Sequence, residues 1–208
     1  MSSKTITIDL WTDIACPWCY VGETCFELAK ASFLQSNPNI KITTNIHSYM
    51  IDPSTKENGE DYLAYNKRRW GGDGWTDQLK QVGKQIGCTF KNWKFWANTF
   101  KAHTLLQEAK KKSKEEEIIF DLYRLSYEEG ENISDVNVLN KLSEKYQLNN
   151  WNNEDNKKKV IEDDNEGKNK YEIHGVPMFM FRDTNRTIEG AAEPKKFIKE
   201  FEYCLKNN

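Results

Sequence analysis

The residues best equipped for chemistry are two cysteines three positions apart, in Cys16-Pro17-Trp18-Cys19. A thiolate attacks a disulfide sulfur, and a second thiol one helical turn away can then close on the first and expel the bound partner. The start of a helix is a good place for the attacking sulfur. Its unpaired N–H groups and the positive end of the macrodipole belong to the settings in which cysteine pKa values fall from about 8.5 to the range 3.5–7.5. If a helix begins at Pro17, Cys16 is the nucleophile and Cys19, the first member of an apolar stripe, is the resolving thiol. A zinc site is the alternative use of such a pair, but it needs two further Cys or His ligands. The remaining cysteines (Cys25, Cys88, Cys204) and histidines (His47, His103, His174) offer no second pair, so no metal is expected. Cys25 and Cys204 sit on or beside apolar helix stripes and read as small hydrophobes.

The surrounding elements fit this use. From Thr5 to Trp11 the side chains alternate, Ile6, Ile8 and Leu10 against Thr7, Asp9 and Trp11, which predicts a strand. Pro17 suits a first helical position. Cys19, Gly22, Phe26, Ala29 and Phe33 then recur at three-to-four spacing and predict a helix from Pro17 to Leu34. Asn37 and Pro38 break it, and the Ile- and Thr-rich stretch from Ile40 to Ile51 predicts a second strand. Strand, helix and strand in so short a span form a parallel crossover that places the cysteine pair at the carboxyl edge of the sheet.

Between Asp52 and Glu172 strand signals give way to helical periodicity. Ile118, Leu122 and Leu125 form one stripe, and Leu139, Leu142 and Tyr146 another, with Ser134 as the expected cap. Gly71-Gly72-Asp73-Gly74 reads as a loop, and Asn149 to Lys159 as a loop or an exposed helix face. Lys110 to Lys114 followed by Glu115 to Glu117 reads as opposite charges one turn apart on a solvated helix. After Pro177, Met178 to Phe181 and Arg186 to Glu189 form a hairpin around the turn Arg182 to Asn185. Pro194 opens a last helix that buries Phe197, Ile198, Phe201, Cys204 and Leu205.

The bulk numbers narrow the function classes. The 208 residues suit one compact unit, and seven Trp, nine Tyr and ten Phe argue against disorder. Thirty basic side chains against thirty-two acidic ones leave a formal charge of −2, so no global field draws nucleic acid or an anionic membrane. No apolar run reaches the roughly 18 residues of a membrane span, and Met1 to Asp9 lacks a basic leader with an apolar stretch. Five thinly spread cysteines, an odd number, suit a reducing compartment, and a cytoplasmic location is expected.

The stretch Asp13-Ile14-Ala15-Cys16-Pro17-Trp18-Cys19-Tyr20-Val21-Gly22 resembles the active-site segment of DsbA-like thioredoxin-fold proteins, especially their FrnE-like branch. Asn98-Thr99, Ala102-His103 and Leu105 resemble a helical motif of that branch. Gly175-Val176-Pro177-Met178-Phe179, with Gly190-Ala191, resembles its proline loop. The resemblance implies an α/β, thioredoxin-like fold with a large inserted all-helical region. Residues 1–52 and 173–208 would form the thioredoxin-like domain and residues 53–172 the insertion. It also implies a cis Pro177 facing the cysteines, with Pro17 and Trp18 shaping the site. The Val176 backbone would be free to pair with an extended substrate segment, nearly blind to its sequence; the alternative for Pro177 is a trans proline opening a strand. Asn98, His103 and His174 are candidates for the substrate cleft. A lone His like His103, beside Leu105, Leu106 and Ala109, is more often a packed or hydrogen-bonded helix residue than an acid-base group, and His174 either supports the Cys16 anion when protonated or lies in an exposed loop.

The expected activity is protein thiol-disulfide exchange with no required cofactor. Its partners would be protein or small-molecule disulfides, with glutathione as a further substrate or reductant, and neither nucleic acid nor membrane is expected. One rival is a glutathione-dependent enzyme like kappa-class glutathione transferase or 2-hydroxychromene-2-carboxylate isomerase; those relatives carry Ser where this chain has Cys16. Another is a client-binding, chaperone-like module in which Trp18, Trp70, Trp75, Trp93 and Trp96 line a groove. Whether the chain oxidises, reduces or isomerises depends on how far the folded surroundings stabilise the thiolate, where about 30 mV corresponds to 1.4 kcal/mol.

Overall fold

A computed structural model describes residues 4–207. Strand β1 (Lys4–Thr12) leads into helix α1 (Pro17–Ser36) and returns through β2 (Ile40–Ser48), parallel to β1. Strands β5 (Met178–Phe181) and β6 (Arg186–Glu189) complete a four-stranded sheet of order β2-β1-β5-β6, with β5 antiparallel to both neighbours. Helix α8 (Pro194–Asn207) closes the chain and packs beside α1. The mixed sheet flanked by helices bears out the expected thioredoxin-like class. Each predicted element is present within a few residues, although β2 stops at Ser48 rather than Ile51.

Alternation along β1 divides the sheet into two faces. Ile8 stands opposite Phe181 and Leu10 opposite Phe179, all buried against the α1/α8 layer. There Phe26 of α1 meets Phe179 at 5.1 Å, Phe197 at 5.4 Å and Phe201 at 6.0 Å between ring centroids. On the other face Trp11 joins Tyr49, Ile173, Met178 and Met180. Gly22 is where α1 comes close to the residues flanking the β5–β6 hairpin: a Cβ there would stand 2.7 Å from Pro177 Cγ and 3.3 Å from Ala191 Cα.

Between β2 and β5 lie α2 (Tyr62–Trp70), α3 (Thr76–Ile86), α4 (Phe100–Lys110), α5 (Glu115–Tyr123), α6 (Val136–Lys145) and α7 (Glu154–Asn165). Wider helical turns, Arg124–Glu129 and Glu166–Lys170, extend α5 and α7. Three local readings are corrected. The segment is not purely helical, since β3 (Glu60–Asp61) pairs with β4 (Phe95–Trp96). Asp135, not Ser134, caps α6, its side chain accepting from Asn137 N at 2.8 Å; Ser134 Oγ instead accepts from Asn98 N at 2.8 Å. The charge run is not one helix: the chain turns between Lys110 and Glu115, so the lysines pair locally, Lys111 with Glu108 and Lys114 with Glu117. Asn153 caps α7, settling Asn149 to Lys159 as a loop followed by helix. The main hydrophobic cluster takes in residues of both the sheet and the helical segment.

Behind β1 a charged cluster joins the two. His47 stacks on Trp11 with centroids 4.2 Å apart and planes 13° apart. Its Nε2 lies 3.2 Å from Asp9 Oδ1, and its Nδ1 faces Asp163 Oδ1 at 3.7 Å, too long for a hydrogen bond but close enough for ion-pair attraction. Lys110 stands 3.4 Å from Asp163, and Arg182 grips Asp9 through Nη2 at 2.7 Å. Burial disfavours the imidazolium, but the Asp163 and Asp9 carboxylates outweigh it, so the His47 pKa is raised above its ordinary 6.5.

A group whose pKa rises on folding stabilises the fold fully below its unfolded value and stops doing so as pH climbs through the folded one. His47→Gln should therefore cost most stability near about pH 5.5 and much less near about pH 9, measured by urea unfolding; an equal cost at both would contradict this. Gly22→Ala should lower stability by about 1–3 kcal/mol through overpacking against Pro177 and Ala191, read from the same unfolding curves.

Candidate active site

The turn between β1 and α1 is held by one carboxyl group. Asp13 is 1 % exposed. Its Oδ1 accepts from Ala15 N at 3.2 Å and Thr99 Oγ1 at 2.7 Å and lies 3.3 Å from His103 Nε2, while its Oδ2 accepts from Ile51 N at 2.8 Å. Asp13 O also accepts from Cys16 N at 3.0 Å. One residue thus fixes the cysteine turn, the chain leaving β2 and the start of α4.

Cys16 is the N-cap of α1, and its carbonyl accepts from Cys19 N at 2.9 Å. Its thiol donates to the Val176 carbonyl across 3.6 Å. The Val176–Pro177 peptide is cis, Pro177 is buried, and Pro177 O accepts from Gly190 N at 2.8 Å. Both cysteines are free thiols, and Cys19 is fully buried. Burial pushes the Cys19 thiol well up, and the adjoining Cys16 sulfur and Glu23 carboxyl raise it further. Cys16 is itself 7 % exposed, and its partner, fully enclosed, is held in the neutral form.

One turn beyond Cys19, on the same helix, Glu23 is 3 % exposed. Tyr123 Oη donates to its Oε1 at 2.6 Å, and Thr12 Oγ1 also bonds it. Burial raises its pKa against these hydrogen bonds, and Glu27 and Glu116 add repulsion, leaving it at about 7. Sequence reasoning missed Glu23. The available signal was a charged residue four positions after Cys19, next to Gly22 on the apolar side of α1.

Cys16, Pro17, Trp18, Ile51, Trp70, Trp75 and Trp96 surround a cleft of about 440 Å³. Four of the five tryptophans expected to line a groove do so. Trp93 is the exception: it lies behind them, 6.3 Å from Trp75 and 5.7 Å from Trp96. The proposed cleft residues outside this group sit elsewhere. His103 is fully buried against Asp13 and can reach the cysteines only through it. Asn98 donates from Nδ2 to Thr55 O at 2.8 Å and holds a loop rather than lining the cleft. His174 is exposed on the segment before Pro177. Among the described residues no group of three or more His, Cys, Asp or Glu is placed to hold a metal, and no helix is long and apolar enough to cross a membrane.

Comparison with known proteins agrees with this architecture. The chain superposes on a probable DsbA oxidoreductase from Streptomyces coelicolor with a TM-score of 0.81 at 22 % identity, covering 98 % of this chain and 91 % of that one. The cytosolic disulfide reductase DsbM from Pseudomonas aeruginosa gives 0.67 at 14 % identity, over 96 % and 98 %. A 2-hydroxychromene-2-carboxylate isomerase gives 0.65 at 11 % identity, over 96 % and 95 %. At these identities the likeness is one of fold. No curated protein gives a significant sequence match. The model of the DSBA-like thioredoxin domain matches residues 7–202, nearly the whole chain, and the protein belongs to that family.

Proposed function

We propose that the protein performs thiol-disulfide exchange through Cys16 and Cys19, as a member of the FrnE-like branch. The observation that carries this reading is the unequal placement of the two sulfurs. Cys16 caps α1 beside a cleft and the Val176 carbonyl, whereas Cys19 is enclosed one turn behind it. In the reducing direction the Cys16 thiolate attacks one sulfur of a substrate disulfide, whose other half leaves as a thiolate and takes a proton. Cys19 then gives up its proton and attacks the Cys16 sulfur, releasing the second substrate thiol and leaving a Cys16–Cys19 disulfide. Two electrons pass from protein to substrate; the reverse sequence oxidises a dithiol.

Glu23 is placed to assist the second step. Its pKa of about 7 lets it accept a proton near neutrality, when Cys19 must lose one from an apolar interior. The Val176 backbone beside Cys16 gives an extended substrate somewhere to pair. Five free thiols fit a reducing, cytoplasmic setting.

Glutathione is the second reading. A structure of the similar Pseudomonas aeruginosa DsbM contains GSH, and the isomerase fold is also close. In this chain glutathione would act as a mixed-disulfide partner or reductant, because Cys16 stands where the glutathione-dependent isomerases and kappa-class transferases carry Ser.

Cys16→Ser should abolish reduction of a protein disulfide while the fold persists, and Cys19→Ser should accumulate a mixed disulfide at Cys16, visible by thiol trapping and mass spectrometry. Retained turnover in Cys16→Ser would refute the assignment. Glu23→Gln keeps the shape of the side chain and an oxygen to accept from Tyr123, but it cannot take up a proton. It should slow release of the mixed disulfide near pH 7 by about a hundredfold, the lower end of general-base effects, and flatten the pH profile of that step alone; an unaltered profile would remove Glu23 from the mechanism.

A further inference from the structure

The cleft beside Cys16 has a composition that thiol exchange alone does not require. Four of the seven residues around it are tryptophans, and Cys16 is the one ionisable residue among the seven. Trp70, at the end of α2, and Trp75, just before α3, meet at 6.3 Å with planes 64° apart, so neither face is used up by the other. Trp75 Nε1 already donates to Asn66 Oδ1 at 2.9 Å. The space of about 440 Å³ falls within the 300–1,000 Å³ usual for small-ligand pockets.

These features discriminate between occupants. A carboxylate would lose hydration there and be repelled by the Cys16 thiolate, and a cation would compete with the Arg69 guanidinium, which already lies 4.9 Å from the Trp70 ring centroid. A length of peptide laid through the cleft itself, rather than paired along Val176, would bring amide N–H and C=O groups into a lining with almost nothing to bond them, and each unpaired group is costly. A flat ring suits such walls, because offset and edge-to-face packing on indole adds to the benefit of burying its apolar area.

Resting on the exchange reaction proposed above, we infer that the tryptophan cleft seats an aromatic group carried on one sulfur of a low-molecular-weight disulfide. The Cys16 thiolate attacks the sulfur bearing the ring, the S–S bond breaks, and the other half leaves as a thiolate that takes a proton from solvent. The ring stays in the cleft as a mixed disulfide until the Cys19 thiolate attacks Cys16 and releases the aromatic thiol. The substrate is reduced by two electrons and the dithiol is oxidised, so reduced protein needs no further reagent for one turnover.

The test is single-turnover reduction by the reduced full chain of two disulfides with the same cysteine half: cysteine joined to benzyl mercaptan, and cysteine joined to mercaptoethanol. Both partner thiols are alkyl, which keeps intrinsic reactivity similar. Trp70→Ala is the variant of choice, since Trp70 is 53 % exposed and lies outside the core. The preference for the benzyl substrate, as the ratio of second-order rate constants, should fall about tenfold in Trp70→Ala, a factor equal to about 1.4 kcal/mol. Trp70→Phe should restore much of it. An unchanged ratio with both substrates still reduced overturns the cleft assignment and leaves the exchange reaction standing. Reduction of neither substrate by the wild-type chain overturns both. A disulfide-linked peptide with phenylalanine beside its half-cystine forms the third arm. If Trp70→Ala slows that peptide more than the benzyl substrate, the occupant is a peptide side chain and the small-molecule assignment fails.

Discussion

The arrangement around the sulfurs depends on the buried carboxyl group of Asp13. Its side chain bonds Ala15 N in its own turn, Ile51 N in the chain leaving β2, and Thr99 Oγ1 at the head of α4, with His103 against the same oxygen. A charged group withdrawn from water costs several kcal/mol unless its lone pairs are occupied, and here the occupants come from three separate stretches of chain. Any one of them can shift only by leaving a bond unmade in an apolar interior. The position of Cys16, whose N–H bonds Asp13 O, is thereby tied to that of the helical segment, and the cleft keeps its shape.

Within that frame the two sulfurs are made unequal by packing. Cys16 sits at the N-cap of α1, beside the open cleft. Cys19 points into the layer between helix and sheet, where burial and the neighbouring sulfur and carboxyl all oppose its ionisation. The order of events in the proposed exchange follows from this difference, since only the outer sulfur can meet a disulfide from solution. Glu23, hydrogen-bonded by Tyr123 and Thr12, brings a carboxyl group to bear on the inner sulfur.

How much of this could be read from the sequence varied with the range of the interaction. Period-two alternation in β1 and three-to-four spacing in α1 are local, so the strand, the helix and the parallel return were visible, as were the hairpin after Pro177 and the last helix. The resemblance around Cys16 and Pro177 carried the expected fold class, and the family match agrees with it. Choices made by long-range partners were hidden. Ser134 looks like a cap, but Asn98 claims its hydroxyl and Asp135 caps instead. His103 resembled a cleft residue because nothing nearby in sequence shows that Asp13, ninety positions earlier, is its partner. Two-residue strands such as β3 and β4 carry no periodicity. Glu23 was hidden because charged residues on helices usually face water.

The hydrogen bond from Cys16 to Val176 joins residues 160 positions apart. A ribosome making this chain releases the dithiol well before the loop that faces it, with Trp70, Trp75 and Trp96 arriving between. Over that interval the two cysteines belong to a chain that lacks the proline loop. The site is complete only when the hairpin of β5 and β6 docks against β1.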